Sequence, residues 1–482
     1  MRPASSAPSG GASREDGSAP RLRNGPSAAR AVLRSEPGWV PLSSLGITLR
    51  PTREGCALAA VVLIGFGSAV AYGRYQPYAL AAIVVGAGIA LFGSSASRLP
   101  SGTSTWSLAA FAGAISSGFL VGSSPVDWLG PVAGGIGAIL VISARGRLLR
   151  IGGCVVAVTT SLLIVAKDIT WGRAAVDVFT FTQRATQQLL LGRDPYGFAY
   201  PTTTPHLPLA HYFYLPGVLL LSIPGRLLGD IRVSCLLAAV ALVGAITLLA
   251  RRHGGSEQGW RCLALCLTLP FFPLMVLYGW TEIYPITGIA LWLVLRERHR
   301  ISSVLVLGVG VATVPTALPL LVLPFLWWRQ ARLEILGAAL VAATICLPFA
   351  IWTGAGNFVY ATLLLNLHLP PSTFGLDLDA AYQRFTGTWM PNWIWPLVVA
   401  VSLVLLARAK PRTWPRAFYL GSALLAVAFL WAKWAIFNYY FLVVVGLVLA
   451  LALTQSGGGV SPLGAQKPGP ARSLGAEPEL EA

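Results

Sequence analysis

The chain has 482 residues, 55% of them hydrophobic and only 11% charged, with a mean hydropathy of +0.67. A soluble domain carries roughly a quarter charged residues, so this composition excludes a soluble enzyme and predicts an all-α polytopic membrane protein. The net charge of +17 would suggest a nucleic-acid partner in a soluble chain. Here the cations sit in the N-terminal tail and in short loops between apolar runs, as the positive-inside rule requires. The expected partners are therefore membrane lipids and no nucleic acid.

Residues 1–51 are rich in Ser, Pro, Ala, Gly and Arg and have little to bury, which predicts a disordered cytoplasmic tail. The stretch is too long and too polar ahead of its first apolar run to read as a cleaved signal peptide. Apolar segments at 56–73, 77–96, 106–124, 128–144 and 150–166 follow, each long enough to cross ~30 Å of hydrocarbon. Arg145, Arg147 and Arg150 place the loop after the fourth segment in the cytoplasm. Counting back puts the N-terminus inside; counting forward puts 167–214 outside.

Two spans over 216–250 would leave Arg251, Arg252 and Arg261 outside. Residues 216–229 are therefore expected to form an interfacial or re-entrant helix, broken at Pro224-Gly225. The span 231–250 then returns to the cytoplasm, and 251–261 becomes a cytoplasmic loop. Further segments lie near 262–279, 283–295, 301–315, 317–328, 335–352, 392–407, 416–432 and 434–454. Pro315, Pro319 and Pro324 make 301–328 a hairpin of broken helices, which a membrane tolerates where protein or water covers the freed backbone. The sum is about 14 transmembrane helices with both termini cytoplasmic. The organisation expected is a four-helix segment over 52–150, a main membrane domain over 151–454 with external loops at 167–230 and 353–391, and a disordered tail over 455–482.

The six cysteines lie in or beside apolar segments, and Cys262 and Cys266 have no nearby His or further Cys to complete a metal site. No protein metal site is expected, and a requirement for a divalent metal stays open. Few ionisable residues lie within the spans, and such residues are what mark ion or proton pathways. The polar residues gather instead in the loop 167–230, in a short turn Tyr278–Tyr284, in the loop 353–391 and at Lys433. That distribution suits chemistry at a membrane–water boundary.

Within the first loop, Ala174–Leu191 has helix-forming residues and Gly192 as a stop. Asp177, Thr180, Arg184 and Gln188 share one face; Val178, Phe181, Ala185 and Leu189 share an adjacent one. This predicts an amphipathic surface helix with a carboxylate in its first turn, where the macrodipole favours negative charge. The macrodipole keeps such a carboxylate ionised, as a base that takes a proton from an acceptor hydroxyl must be; the alternative is that Asp177 only stabilises the turn.

The run Asp177-Val-Phe-Thr-Phe181, then Gly192-Arg-Asp194-Pro-Tyr196, then Tyr214-Leu-Pro216 resembles the first external loop of the C superfamily of glycosyltransferases. It is most similar to the polyprenol-phosphate-dependent, mannosyltransferase-like family 87 of bacteria. Lys433-Trp-Ala-Ile-Phe-Asn438-Tyr439-Tyr440 resembles that family's Lys/aromatic/Asn-Tyr-Tyr segment. The similarity covers about 151–453. Phe181 stands where the family has Tyr, Tyr278-Gly-Trp-Thr-Glu282 where Gly-Gln is common, and Val314-Pro315 where a Lys precedes the Pro.

The resemblance implies a multi-pass enzyme of the bacterial plasma membrane. It would move a sugar, with mannose the leading candidate, from a polyprenyl-phosphate donor to a cell-envelope glycan or glycolipid on the outer face, with no cofactor beyond that donor. Asp177 is the implied general base. Asp168, directly after the fifth span, is an alternative base, and His368 in the second loop could approach the acceptor. Lys433 either neutralises the leaving phosphate or snorkels to the interface, and Arg384 is a second phosphate candidate. Arg184, Asp194, Tyr196, Tyr214, Asn438 and Tyr439 complete the expected substrate-binding set. A lipid-linked oligosaccharide flippase and a non-catalytic scaffold are the rival readings.

Overall fold

The computed structural model describes residues 51–70, 75–93, 96, 101–120, 125–170, 176–201, 209–365, 375–432 and 435–455. Among these, the regular structure comprises eighteen α-helices, a 3₁₀ turn at Pro315–Ala317, a π-helical turn at Tyr360–Leu364 and one small two-stranded ribbon. Five apolar helices come first: α1 (Arg53–Val70), α2 (Pro77–Gly93), α3 (Thr103–Gly118), α4 (Pro125–Ser143) and α5 (Arg147–Thr170). The polar interval then forms α6 (Asp177–Leu190), strands β1 (Ala199–Pro201) and β2 (Leu209–His211), and α7 (Pro216–Leu227). The remaining helices are α8 (Arg232–Thr268), α9 (Phe271–Leu277), α10 (Ile283–Leu295), α11 (Arg300–Val311), α12 (Pro319–Trp327), α13 (Arg329–Thr353), α14 (Ala355–Val359), α15 (Leu378–Thr386), α16 (Ile394–Arg408), α17 (Trp414–Leu430) and α18 (Phe437–Ala452).

The all-α membrane class is what the structure has. Four helices are long and apolar enough to cross a bilayer unaided: α1, α5 over Arg147–Ala166, α8 and α13. Others are shorter. The 13 residues of α10 rise ~20 Å at 1.5 Å each, less than the ~30 Å hydrocarbon core. Several short helices run in sequence through a break. The second half of α8 leads into α9 through Leu269-Pro270, and α11 leads into α12 through a 3₁₀ turn at Pro315–Ala317. The second case is the broken pair expected from Pro315, Pro319 and Pro324, since each proline withholds a backbone donor.

Three local expectations change. Residues 251–261 join two helices as expected, but through a one-residue kink and not an open loop: Glu, Gln and Arg there are good helix formers, and helix runs up to Gly255 and starts again after it, so α8 is two helices in succession. Only that residue leaves helical geometry (φ 79°, ψ −177°), a conformation that favours glycine. The break expected at Pro224-Gly225 is absent, and α7 runs unbroken to Leu227. The amide of Gly225 donates instead to Ser234 Oγ at 2.8 Å, so the proline leaves it satisfied. Finally, the first external loop carries a β-ribbon that pairs Ala199 with His211 and Tyr200 with Ala210, which gives part of that loop's backbone the partners it needs.

The loops sort to two ends of the bundle. At one end, Arg150 makes a two-pronged pair with Glu257 at 2.8 and 2.9 Å, and Arg252 donates to the Val294 carbonyl at 2.6 Å. Gln258 reaches the Leu451 carbonyl at 3.1 Å, and Arg296 meets Glu334 at 3.2 Å. Trp414 stacks on Trp328, centroids 4.6 Å apart. The Arg-bearing segments at 145–150, 251–261, 296–300, 329–332 and 408–416 thus share one end, as the charge pattern requires. The polar loops share the other.

The first four helices pack against that larger assembly. Helix α1 lies on α18, and α3 and α4 lie on α8. Ser117 Oγ donates to the Thr268 carbonyl at 3.2 Å. Helix packing between spans relies on small residues and such bonds. Tyr75, between α1 and α2, is buried beneath the Arg384 guanidinium, 4.6 Å from its ring centroid.

Candidate functional site

Helix α6 forms as expected, with Asp177 as its first residue. Val178, Phe181 and Ala185 are buried, Leu189 is half-buried and Arg184 is exposed. The apolar face packs on α7, and Phe181 meets Tyr200 and Phe213 at 6.3 and 5.9 Å. Phe in place of the expected Tyr therefore fills an aromatic pocket with no polar tip to satisfy. Gln183 fixes the helix to the turn before α8: its amide donates to the Gly229 carbonyl at 2.8 Å, and its oxygen accepts from Ile231 N at 3.0 Å. Phe179 lies under the Arg232 guanidinium at 4.1 Å. It also sits against Gly279, which adopts φ +63°. A side chain at 279 would lie 3.3 Å from the Phe179 ring, so glycine there permits the close approach. Through this contact the N-terminal turn of α6, with half-buried Asp177, lies beside the turn that joins α9 to α10.

That turn holds a residue the sequence reading passed over. Glu282 is 2% exposed, and its Oε1 accepts from Asn438 Nδ2 at 2.7 Å. Burial pushes its carboxyl up to about 7, against the Asn438 bond, which favours the charged form. Tyr214 and Tyr439 stand near enough for the Glu282 charge to act on both. Burial, followed by that charge, holds the Tyr214 phenol well above its ordinary value, so it stays a protonated donor. Trp280 and Tyr278 meet Phe437 edge-on and tilted, at 5.4 and 5.8 Å. Three expected residues, Tyr214, Asn438 and Tyr439, thus assemble around a carboxyl that was not among them. The signal was present in the sequence: one acid in a five-residue break between two apolar runs.

Asp194 and Tyr196 act within the protein. Asp194 Oδ1 accepts from Tyr196 N at 3.0 Å, closing an Asx turn, and from Thr353 Oγ1 at 2.9 Å. Tyr196 is 3% exposed and donates from its hydroxyl to the Tyr214 carbonyl at 2.8 Å. Its ring touches Tyr212, Phe349 and Phe358. The Gly-x-Asp-Pro-Tyr motif thus ties the first loop to the end of α13 and to α14. Asp194 Oδ1 and the Tyr196 hydroxyl are engaged in that tie.

The second loop is fastened by another buried acid. Asp377 caps α15, with Oδ1 accepting from Ala380 N at 2.7 Å and Oδ2 from Ala435 N at 3.2 Å. Leu376 N donates to the Ala435 carbonyl at 2.6 Å, and Tyr440 Oη to the Leu376 carbonyl at 2.6 Å. These bonds set 375–391 against the start of α18, which carries Asn438 and Tyr439. Burial pushes the Asp377 carboxyl up to about 8, although both amide bonds pull the other way. An unfolded Asp titrates near 3.9, so between the two values the folded loop holds a proton that the unfolded chain has released. Stability from this group is full below the lower value and is lost as pH rises through about 8. Hydrogen exchange at Ala380, corrected for its intrinsic rate, should therefore lose protection from pH 6 to 9 in the native chain. It should stay level in Asp377→Asn. Equal profiles would contradict this.

Arg384 is exposed and lies over Tyr75. His368 and Lys433 lie outside the described residues, and so does the side chain of Asp168 in the last turn of α5. Among the described residues no group of His, Cys, Asp and Glu could hold a metal ion.

The arrangement offers a half-buried carboxylate at a helix start, a buried acid–amide pair and a wall of aromatics, all at one end of an apolar bundle. Compared with family models, with curated proteins and with solved structures, the chain matches none.

Proposed function

We propose that the chain is an integral membrane glycosyltransferase that uses a polyprenyl-phosphate sugar as donor. One observation carries the reading. Polar segments at 176–201, 278–284, 353–357, 375–391 and 435–440 are far apart in sequence, yet each bonds to or packs against another of them at the bundle end opposite the Arg-bearing segments 145–150, 251–261, 296–300, 329–332 and 408–416. A lipid-borne donor places its phosphate and sugar at that depth while its chain stays among the helices. The resemblance of Asp177–Phe181, Gly192–Tyr196 and Lys433–Tyr440 to family 87 supports the same chemistry.

In the proposed step the acceptor hydroxyl oxygen bonds to C1 of the sugar, and its proton passes to the Asp177 carboxylate. The C1–O bond to phosphate breaks, its electron pair stays on the phosphate oxygen, and C1 inverts. Polyprenyl phosphate leaves. Mannose is the leading candidate sugar, and a cell-envelope glycan or glycolipid the acceptor. The reading has about 14 spans, the polar end outside, both termini cytoplasmic, and the bacterial plasma membrane as location.

Membranes from cells expressing the chain, supplied with radiolabelled polyprenyl-phosphate hexoses and pentoses, should form a labelled glycolipid from at least one donor. Control membranes should form none, and failure with every donor would refute the reading. Sidedness has its own readout: a cysteine in place of Thr203 should react with an impermeant thiol reagent from outside intact cells, and reaction only after permeabilisation would invert the topology.

A further inference from the structure

Around the turn that joins α9 to α10, four buried polar atoms have no hydrogen-bond partner among the described residues: Trp280 Nε1, Thr281 Oγ1, Glu282 Oε2 and Asn438 Oδ1. A buried polar atom that makes no bond has given up its hydration for nothing, so native chains rarely leave several together. Glu282 and Asn438 are joined through their other atoms at 2.7 Å. Trp280 lies two residues from Glu282, with its ring against Phe437, the neighbour of Asn438. The four atoms therefore belong to one locus; the Thr281 hydroxyl acts on the Glu282 carboxyl and the Tyr214 phenol from within the protein, and the other three offer two acceptors and one donor.

The chemistry of the locus narrows what it takes. A metal ion would need more ligands than one carboxyl, and no such group exists among the described residues. An anion such as a phosphate would face the Glu282 carboxyl with no cation among the partners named. A neutral ring bearing several hydroxyls fits all three atoms, since each hydroxyl both donates and accepts. The aromatic surfaces of Trp280, Tyr278 and Phe437 suit the apolar C–H face of such a ring.

We infer that Glu282, Asn438 and Trp280 form a subsite that recognises the ring hydroxyls of a neutral sugar. Two hydroxyls donate to Glu282 Oε2 and Asn438 Oδ1, and a third accepts from the Trp280 indole N–H. Glu282 is thus a specificity-determining residue and no proton acceptor in the transfer step. Which sugar occupies the subsite in the cell rests on the transferase reading; that a sugar occupies it does not.

The test separates the two. Asp177→Asn protein in a detergent that contains no sugar is titrated with tritiated octyl mannoside, octyl glucoside, octyl galactoside and octyl arabinoside. At least one should bind saturably. Trp280→Phe and Glu282→Gln, each added to that background and each eluting as the parent does by size exclusion, should weaken it tenfold or more. Tetraethylene glycol monooctyl ether, with the same tail and no ring, should not compete. The inference is overturned by no saturable binding, by equal binding in both variants, or by competition from the ether, which would mark a lipid groove. Saturable binding in a chain that transfers no sugar would leave the subsite standing and remove the enzyme. Transfer by a chain whose glycoside affinity ignores Trp280→Phe would do the reverse.

Discussion

Replacing Asp177 with Asn is expected to slow sugar transfer by about 10²- to 10⁴-fold, the contribution typical of a positioned general base. The two side chains have nearly the same shape, and Asp177 lies half-buried at the first position of α6. The fold loses the carboxylate's attraction to the helix N-terminus, about 0.3–1 kcal/mol, while the amide keeps the shape of the side chain. The packing that sets α6 in place involves Phe179, Phe181 and Gln183, and none of these contacts changes. Initial rates with labelled donor, read beside apparent melting temperatures in detergent, should show lost activity with intact structure. Activity within threefold of the native chain would remove Asp177 from the mechanism. Asp168 would then become the acid to test.

Glu334→Ala is expected to cost about 3–5 kcal/mol, the range for leaving one partner of a buried ion pair alone. The carboxyl accepts from Trp292 Nε1 at 2.7 Å and from Gln330 Nε2 at 3.0 Å, besides pairing with Arg296 at 3.2 Å. Arg296 in turn lies over Trp414 and Trp292 at 4.2 and 5.0 Å. Three donors lose their acceptor at once, at a point that joins α10, α13 and α17. Pairing the change with Arg296→Met should restore much of the loss, because the uncompensated charge is then gone. An unchanged apparent melting temperature in Glu334→Ala would contradict this account of how the arginine-bearing end is held.

The charge pattern made the grouping of loops legible because Arg positions depend on composition and spacing alone. Arg150, Arg252 and Arg296 therefore meet at one end as expected. Helical periodicity exposed α6 for the same reason: its two faces differ in sequence. Where the outcome depended on a distant partner, the sequence was mute. Nothing local states that Ser234 receives the Gly225 amide, so Pro224 read as a break. Nothing local sets Glu282 against Asn438, 156 positions away, so the acid in the short turn passed as loop polarity. Nothing local sets Asp194 against Thr353, 159 positions on; that bond is likewise a product of the fold.

The measurement that bears most directly on the central claim is sugar transfer by the purified chain alone, reconstituted in liposomes with a radiolabelled polyprenyl-phosphate sugar and a glycolipid acceptor. The account predicts that label moves to the acceptor as polyprenyl phosphate is released in equal amount. Donor that crosses the bilayer with its sugar still attached, and never loses it, would contradict transfer and make the chain a flippase.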